Sequence, residues 1–179
     1  MPLLMKHTGP LWGIWKIEEP SEVLFALLQN RKEYLPQLEL IRTEQRRREW
    51  LASRVLLQEL TGGSALIAYH PNGAPYLSGS SLHISISHTK GYAAVLLQDH
   101  PAAGIDIEYR SERVSRIRSR FMNPEEEAGI DKEYETEHLL LHWCAKETLF
   151  KMVGYEEVDF LRHLHVCPFP YAEKGSFTV

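Results

Sequence analysis

The stretch SLHISISHTKGYAAVLLQ, residues 81–98, decides the fold class predicted for this chain. Apolar side chains stand at 82, 84 and 86 and polar ones at 83, 85 and 87. A period of two is typical of a strand with one buried face. After the turn residues Thr89, Lys90 and Gly91, the apolar run 92–97 predicts a strand that returns antiparallel to the first. The centre of the chain is therefore predicted to be a β-hairpin.

Upstream of this hairpin the sequence predicts a strand followed by helices. Residues 11–17 (LWGIWKI) are a candidate first strand, and Pro20 with the two residues after it predicts the start of a helix to Leu28. In residues 42–60 (RTEQRRREWLASRVLLQEL) the apolar positions follow helical spacing up to Gly62. The arginines of its first turns are most simply interpreted as a solvated basic face.

Downstream of the hairpin, AAGIDIE (102–108) is predicted to be the third strand of a meander. FMNPEEEAGI contains an Asn-Pro pair suited to a helix start, and EHLLLHWCAKETLFKMVG (137–154) predicts a long helix that stops at Gly154. The tail from Val158 is predicted to contain one or two strands. These elements together predict an α+β protein with an N-terminal half, residues 1–101, and a C-terminal half, residues 102–179.

The composition excludes several classes of protein. The 179 residues carry 20 Lys and Arg against 24 Asp and Glu, a net charge of −4, and 44% are hydrophobic, as in a globular protein with a core. A chain without net positive charge gives no reason to expect a nucleic-acid partner. No long uncharged apolar run predicts a membrane span. The two cysteines form no CxxC pair, so we expect a cytoplasmic protein with no membrane partner.

Two acids in GIDIE, Asp106 and Glu108, are candidates for holding a metal ion. Residues two apart on a strand leave the same face, so both carboxylates would converge. A hard divalent cation such as Mg²⁺ would offset their repulsion, whereas the alternative is a solvated strand face. On the predicted long helix, Glu147 would add a third oxygen ligand if it faces them. Glu147 and Lys151 are four residues apart, so a surface ion pair explains those two equally well.

His88 directly follows Ser87 in ISISHT. Adjacent Ser and His residues do not form a hydrolytic pair, because the base must reach the hydroxyl across space and be oriented by a third residue. A histidine near Lys and Arg is better suited to bind an anionic phosphate. His138 and His142 have a zinc-site spacing, but HLLLH lacks the Glu of the HExxH motif, so an ordinary helix face is the simpler interpretation.

In order along the chain, these motifs resemble those of the 4'-phosphopantetheinyl transferase superfamily, and most closely its surfactin-type branch of two pseudo-symmetric α+β halves. The resemblance runs from about Arg46 to Gly154, through NGAPYL, SISHT, GIDIE, RFMNPEE and WCAKETLFK. The last of these matches the W-x-x-K-E-x-x-x-K pattern of the family. Surfactin-type members continue for several strands past the point that corresponds to Val179. The second half is therefore expected to be shortened, with an exposed sheet edge that a partner would cover.

The resemblance implies an enzyme that transfers 4'-phosphopantetheine from coenzyme A to a serine of an apo acyl or peptidyl carrier protein and releases 3',5'-ADP. It implies Mg²⁺ held by Asp106, Glu108 and Glu147, and it places Glu126 as the acid that deprotonates the acceptor serine. Glu147 and Lys151 would share in catalysis. The residues implied to contact coenzyme A are Arg48, Arg54, Ser87, His88, Lys146 and Lys151. The carrier protein could serve fatty acid, polyketide or nonribosomal peptide biosynthesis, and a monomer is expected rather than a dimer.

One departure from the family pattern is Gly73-Ala74-Pro75, where many members have G-K-P. The missing cation predicts a weaker contact with coenzyme A. Two alternatives stay open. The first is a relative that binds coenzyme A or a carrier protein without turnover, favoured by Ala74 and the early end. The second is a Mg²⁺-dependent nuclease, because D-x-E strands beside a lysine occur in such enzymes; the near-neutral charge and the SISHT and RFMNPEE matches argue against it.

Overall fold

The structure is a computed structural model that describes residues 2–63, 65–100, 103–154 and 157–179. The chain forms two compact units, Met1–Ile107 and Glu108–Val179, which are described separately. We expected halves of 1–101 and 102–179. Helices occur together with antiparallel sheets, so the predicted α+β class is confirmed. Among the described residues, none of the helices combines the length and apolar character needed to cross a membrane.

The first unit contains an antiparallel sheet, a separate hairpin and three helices. In chain order its elements are β1 (Leu3–Thr8), β2 (Leu11–Lys16), α1 (Ser21–Leu27), α2 (Arg31–Glu39), α3 (Glu44–Thr61), β3 (Leu66–Tyr69), β4 (Pro75–Ser78), β5 (His83–Thr89) and β6 (Tyr92–Gln98). The sheet has the strand order β1-β2-β6-β5, and β3 pairs only with β4. The strand predicted at residues 11–17 is confirmed as β2, although β1 precedes it, and the predicted helix from Pro20 and the central hairpin are confirmed.

Helix α3 forms the core of the first unit together with the sheet. The hydroxyl of Thr43 accepts a hydrogen bond from the Arg46 backbone N–H and caps the start of the helix, and Gly62 ends it with a φ of 63°. Leu51 and Leu56 are fully buried. Gly13 on β2 lies directly beneath α3, since an added Cβ would stand 3.0 Å from Leu56 Cδ1. The predicted helix is confirmed, and its apolar face lies against β2 and β6.

The meander predicted after the hairpin is wrong. The second neighbour of β6 is β2, and residues 103–110 contain no strand. This segment instead runs beside β5 through side-chain hydrogen bonds. The Ile105 backbone N–H donates to Ser85 Oγ at 3.1 Å, and the Ile107 backbone N–H donates to Ser87 Oγ at 3.2 Å. Both serines are consequently buried, although the alternating pattern predicted a solvated polar face.

The second unit consists of helices, turns and loops in the residues that the structure describes. Its helices are α4 (Arg113–Ile117), a 3₁₀ turn (Arg118–Arg120), α5 (Pro124–Ala128) and α6 (Glu135–Val153). A capping box at Asn123 starts α5, and Gly154 follows the end of α6, so both predicted helices are confirmed. The strands predicted from Val158 are wrong, because residues 157–179 form turns and loops. A sheet like that of the first unit does not occur in 108–154 or 157–179.

Candidate functional site

His88, near the end of β5, lies against the first half of α3. Its Nε2 contacts the guanidinium NH1 of Arg46, and its Nδ1 lies 3.5 Å from Oε2 of Glu49. Arg46 NH1 lies 3.5 Å from the same oxygen. Glu49 is buried, and its Oε1 accepts a hydrogen bond of 3.0 Å from Gln45 Nε2. The fold thus brings together a histidine, an arginine and a carboxylate, which we call the His88 group (Arg46, Glu49, His88).

Arg48, the helix arginine that the resemblance assigned to coenzyme A, makes contacts within the fold of the first unit. Its Nε donates to the Glu19 carbonyl and its NH2 to the Ile17 carbonyl, both at 2.8 Å. These bonds tie the loop between β2 and α1 to α3. Arg46, two residues earlier and exposed, is the arginine beside His88. The coenzyme A contact of Arg48 stays a prediction.

Arg54 lies in the core, with 2% of its surface exposed. Its Cζ lies 3.3 Å from the centre of the Trp50 ring, and its guanidinium donates to the Trp50 carbonyl at 2.9 Å and to the Tyr69 hydroxyl at 3.3 Å. Its Nε has no hydrogen-bond partner among the described residues. Burial lowers the pKa of Arg54, whereas the aromatic ring favours the cation. The contact with coenzyme A predicted for Arg54 remains untested, and its burial gives it a packing role.

Ser87 and Asp106 are joined in the first unit. The Ser87 hydroxyl donates to Asp106 Oδ1 at 2.7 Å and so holds this carboxylate against β5. Beside it is a cleft of about 410 Å³ between β2, β6 and residues 103–107, with Trp12, Leu96 and Asp106 among its lining residues. Small-molecule sites in proteins have volumes of about 300–1,000 Å³. The cleft is large enough for part of a nucleotide or a pantetheine chain.

Lys146 and Glu126 form a buried ion pair in the second unit. Lys146 Nζ lies 2.7 Å from Glu126 Oε2, and the two residues are 0% and 1% exposed. Lys146 also donates to the carbonyls of Phe121 at 2.5 Å and Phe160 at 2.9 Å, which uses all three of its donors. Glu126 accepts from the Val166 backbone N–H at 2.9 Å. Both side chains are thus enclosed within the second unit, and the roles that the resemblance implied for them stay predictions.

Glu108 lies beside the face of α6 that carries Glu147. Glu108 Oε1 accepts a hydrogen bond of 3.0 Å from Trp143 Nε1. Trp143 and Glu147 are four residues apart on α6, so their side chains share one face. Glu147 and Lys151, one turn further on, are both partly exposed. Glu147 is therefore on the same face of α6 as Trp143, and Glu108, a second predicted acidic ligand, lies against that face.

Mg²⁺ is the ion that the three predicted acidic ligands would hold. The predicted ligands offer only carboxylate oxygens, which a hard cation prefers. Throughout the part of the chain that the structure describes, no three His, Cys, Asp or Glu side chains are arranged as a metal site. Glu108 and Glu147 belong to the second unit and Asp106 to the first. The donor chemistry fits, and the binding of Mg²⁺ stays a proposal.

His138 and His142 are buried on α6, with 1% and 2% of their surfaces exposed, where an ordinary helix face was expected. Their rings pack on Phe169 at centroid distances of 4.5 and 5.1 Å. Neither His138 Nε2 nor His142 Nδ1 has a hydrogen-bond partner among the described residues. Burial lowers the pKa of both, that of His142 to about 4. Both rings are therefore neutral at neutral pH and join the tail to α6.

Comparison with known proteins matches the second part of the chain to a family. The model of the 4'-phosphopantetheinyl transferase superfamily matches residues 102–179, which contain GIDIE, RFMNPEE and WCAKETLFK. The chain is also similar to the 4'-phosphopantetheinyl transferase AcpT of Salmonella typhimurium strain LT2, with 30% identity over 115 residues. That alignment covers 61% of this chain, and the chain spans 60% of the length of this relative. Both matches support the superfamily resemblance.

Sequence reasoning missed three residues of the candidate site. Arg46 was one of several arginines at the start of α3, and nothing local distinguished it from Arg48. Glu49 follows Arg46 by three residues and so shares its helix face, which was the available signal. Trp143, the first residue of WCAKETLFK, was given no role of its own, whereas its indole N–H binds Glu108. The available signal was the indole N–H itself, because a Trp donor usually finds a hydrogen-bond partner when the ring is partly buried.

Proposed function

We propose that this protein is a Mg²⁺-dependent 4'-phosphopantetheinyl transferase that modifies a serine of an apo acyl or peptidyl carrier protein and releases 3',5'-ADP. The observation that carries the proposal is the superfamily match over residues 102–179, which includes the WCAKETLFK helix. The placement of Glu108 against the α6 face that bears Glu147 supports it. We further propose that the protein is a cytoplasmic monomer of the surfactin-type branch.

The proposed reaction is the attack of a serine hydroxyl on the β-phosphate of coenzyme A. A new oxygen–phosphorus bond forms, and the bond from phosphorus to the departing 3',5'-ADP breaks. Phosphoryl transfer depends on positioning and charge neutralisation more than on covalent help. Mg²⁺ held by Asp106, Glu108 and Glu147 would supply part of that neutralisation. Lys151, one turn beyond Glu147 on α6, would add a positive charge on the same side of the helix.

The serine proton must pass to a base. Glu126, the base that the resemblance implies, would first have to leave its buried pair with Lys146. Glu147, in contrast to the buried Glu126, is partly exposed on α6. We therefore expect Glu147 to be better placed than Glu126 to accept the serine proton.

The contacts with coenzyme A are proposed to involve its phosphates. His88 and the neighbouring Arg46 can donate to phosphate oxygens, and Ser87 lies at the same end of β5. Arg48, Arg54 and Lys146 were also expected to bind coenzyme A. Their donors serve the fold within each unit, so we rank these three behind the His88 group.

The experiment that tests the proposal is incubation of the protein with fluorescent coenzyme A and a panel of apo carrier proteins from fatty acid, polyketide and peptide synthesis. We expect labelling of at least one carrier, dependent on Mg²⁺ and absent from a carrier whose acceptor serine is changed to alanine. Coenzyme A binding without labelling of any carrier would instead identify a non-catalytic relative. Cleavage of nucleic acid without coenzyme A binding would identify a nuclease.

A further inference from the structure

We propose that Trp143 is a positioning residue for Glu108, because its indole N–H holds this carboxylate against the face of α6 that carries Glu147 and so prepares the acid to bind a divalent cation. The role of Glu108 as a cation ligand rests on the proposed function. The hydrogen bond that holds Glu108 is a feature of the second unit by itself.

The indole of Trp143 has a fixed orientation because it packs against two phenylalanines. The Phe121 ring lies edge-on to it, with the ring centroids 5.2 Å apart, and the Phe160 ring is stacked on it at 5.7 Å. Phe121 is fully buried. A tryptophan side chain has only two rotatable bonds, so contacts with two rings restrict the direction of its N–H.

The carboxylate of Glu108 depends on this N–H for its position. Glu108 is exposed, and an exposed glutamate moves among several rotamers unless a contact restricts it. An indole nitrogen donates and cannot accept, so the 3.0 Å contact makes Oε1 of Glu108 the acceptor. Glu147 carries a like charge four residues beyond Trp143. Without the bond from Trp143, repulsion by Glu147 would favour rotamers that move the Glu108 carboxylate away from α6.

The donor that positions Glu108 is neutral. A lysine or arginine in this place would offset the charge of the carboxylate and compete with a metal ion, whereas an indole N–H orients the carboxylate and leaves its charge unchanged. Lys146, the cation three residues after Trp143, is buried and bonded to Glu126. A carboxylate has about four lone-pair sites, so one bond from an indole is compatible with cation binding. The second unit therefore offers a hard divalent cation an oriented carboxylate.

The bond is tested by NMR of the ¹⁵N-labelled full chain, which contains four tryptophans. We expect added Mg²⁺ to shift the indole N–H signal of Trp143, because the acceptor of this N–H binds the ion. The Trp15 indole is the internal control, since it also donates to a glutamate, Glu19 at 3.4 Å, and its signal should stay constant. A Trp143 signal that does not move as Mg²⁺ is raised overturns the proposal without any variant having to fold.

The effect on affinity is measured by titration with Mn²⁺ followed by electron paramagnetic resonance, without coenzyme A or carrier protein. Trp143→Phe keeps an aromatic ring against Phe121 and Phe160 and removes the N–H. We expect it to weaken Mn²⁺ binding by about tenfold, a size typical when the hydrogen-bond partner of a metal ligand is removed. Trp15→Phe removes the comparable bond in the first unit and should bind Mn²⁺ as the unchanged protein does. Equal affinity in Trp143→Phe and the unchanged protein overturns the positioning role.

A double-mutant cycle with Glu108→Gln shows whether Trp143 acts through Glu108. In the Glu108→Gln background, Trp143→Phe should cause no further loss of Mn²⁺ affinity, because the charged ligand is already absent. A second loss of the same size would show a general structural effect and overturn the proposal. If Mn²⁺ affinity depends on Trp143 but no carrier protein is ever labelled, the proposed function fails and the role of Trp143 stands. If carriers are labelled and Mn²⁺ affinity is independent of Trp143, the positioning role fails and the proposed function stands.

Discussion

Glu126 and Lys146 form a fully buried ion pair that connects three parts of the second unit. The lysine bonds to the Phe121 and Phe160 carbonyls, and the glutamate bonds to the Val166 N–H. The pair therefore joins α5 and α6 to the tail. Removal of one member of such a pair leaves an uncompensated buried charge, which is costly.

We predict that Lys146→Met lowers the free energy of unfolding by about 3–5 kcal/mol, because Glu126 is left as a buried, unpaired carboxylate. Urea denaturation followed by circular dichroism measures this effect. Lys174→Met, at an exposed position in the tail, is the matched control and should be nearly neutral.

The double variant Lys146→Met with Glu126→Leu should recover part of that stability, since no charge stays buried. The double variant also separates the structural role of Glu126, as the buried partner of Lys146, from its implied role as the base. A folded double variant that still transfers phosphopantetheine would show that Glu126 is not the base. Loss of transfer with only a small loss of stability from Lys146→Met would favour the catalytic roles that the resemblance implied.

Asp106→Ala should abolish transfer while the protein stays folded, because the residue is proposed as a Mg²⁺ ligand. Loss of the hydrogen bond from Ser87 should by itself cost about 1 kcal/mol of stability. Carrier labelling over a range of Mg²⁺ concentrations is the measurement. Glu133→Gln, at an exposed position, serves as the control, and full activity of Asp106→Ala at ordinary Mg²⁺ would remove Asp106 from the site.

Lys151→Ala distinguishes a phosphate contact from a surface ion pair with Glu147. As a phosphate contact, Lys151 should contribute about 2–3 kcal/mol to the transition state, roughly 30- to 150-fold in kcat/KM for coenzyme A. As a surface partner it should contribute about 0.3–0.5 kcal/mol to stability and nothing to turnover. We expect the loss in kcat/KM that a phosphate contact predicts. Lys132→Ala is the control, and a change below about threefold with an unchanged melting curve would contradict the assignment.

The stability of the protein should fall in mild acid because of His142. Its pKa in the folded state is about 4, below the ordinary value of 6.5, so the unfolded chain binds more protons between these pH values. The stability contributed by this neutral ring is complete above about pH 6.5 and is lost progressively as the pH falls toward 4, by on the order of 2–3 kcal/mol.

Urea denaturation at pH 7.5, 6.0 and 5.0 measures this pH dependence. His142→Phe keeps a ring against Phe169 and removes the titrating group, so its stability should vary less over that range. His83→Gln, at an exposed position on β5, should follow the unchanged protein. Equal pH dependence in His142→Phe and the unchanged protein would contradict the prediction.

Several elements of this protein follow from local patterns in its sequence. Helices α3 and α6 were predicted because their apolar spacing is helical and because Gly62 and Gly154 end them. The hairpin of β5 and β6 was predicted from a period of two around a turn at Gly91. Both signals arise from residues a few positions apart, so no knowledge of distant contacts was needed. Strand β1 (LLMKHT) lacks such alternation and was missed.

Other features of the fold and of the candidate site depend on tertiary contacts, which those local patterns do not determine. Residues 105–107 alternate like a strand, yet they bond to the side chains of Ser85 and Ser87, which are 20 residues away in the chain. Lys146 was expected to contact coenzyme A, whereas the Phe121 carbonyl, 25 residues earlier, helps to enclose it in the interior. Arg46 rather than Arg48 lies beside His88 because strand β5 meets α3 at that turn. Each of these outcomes depends on a partner far away in sequence, which periodicity and spacing do not encode.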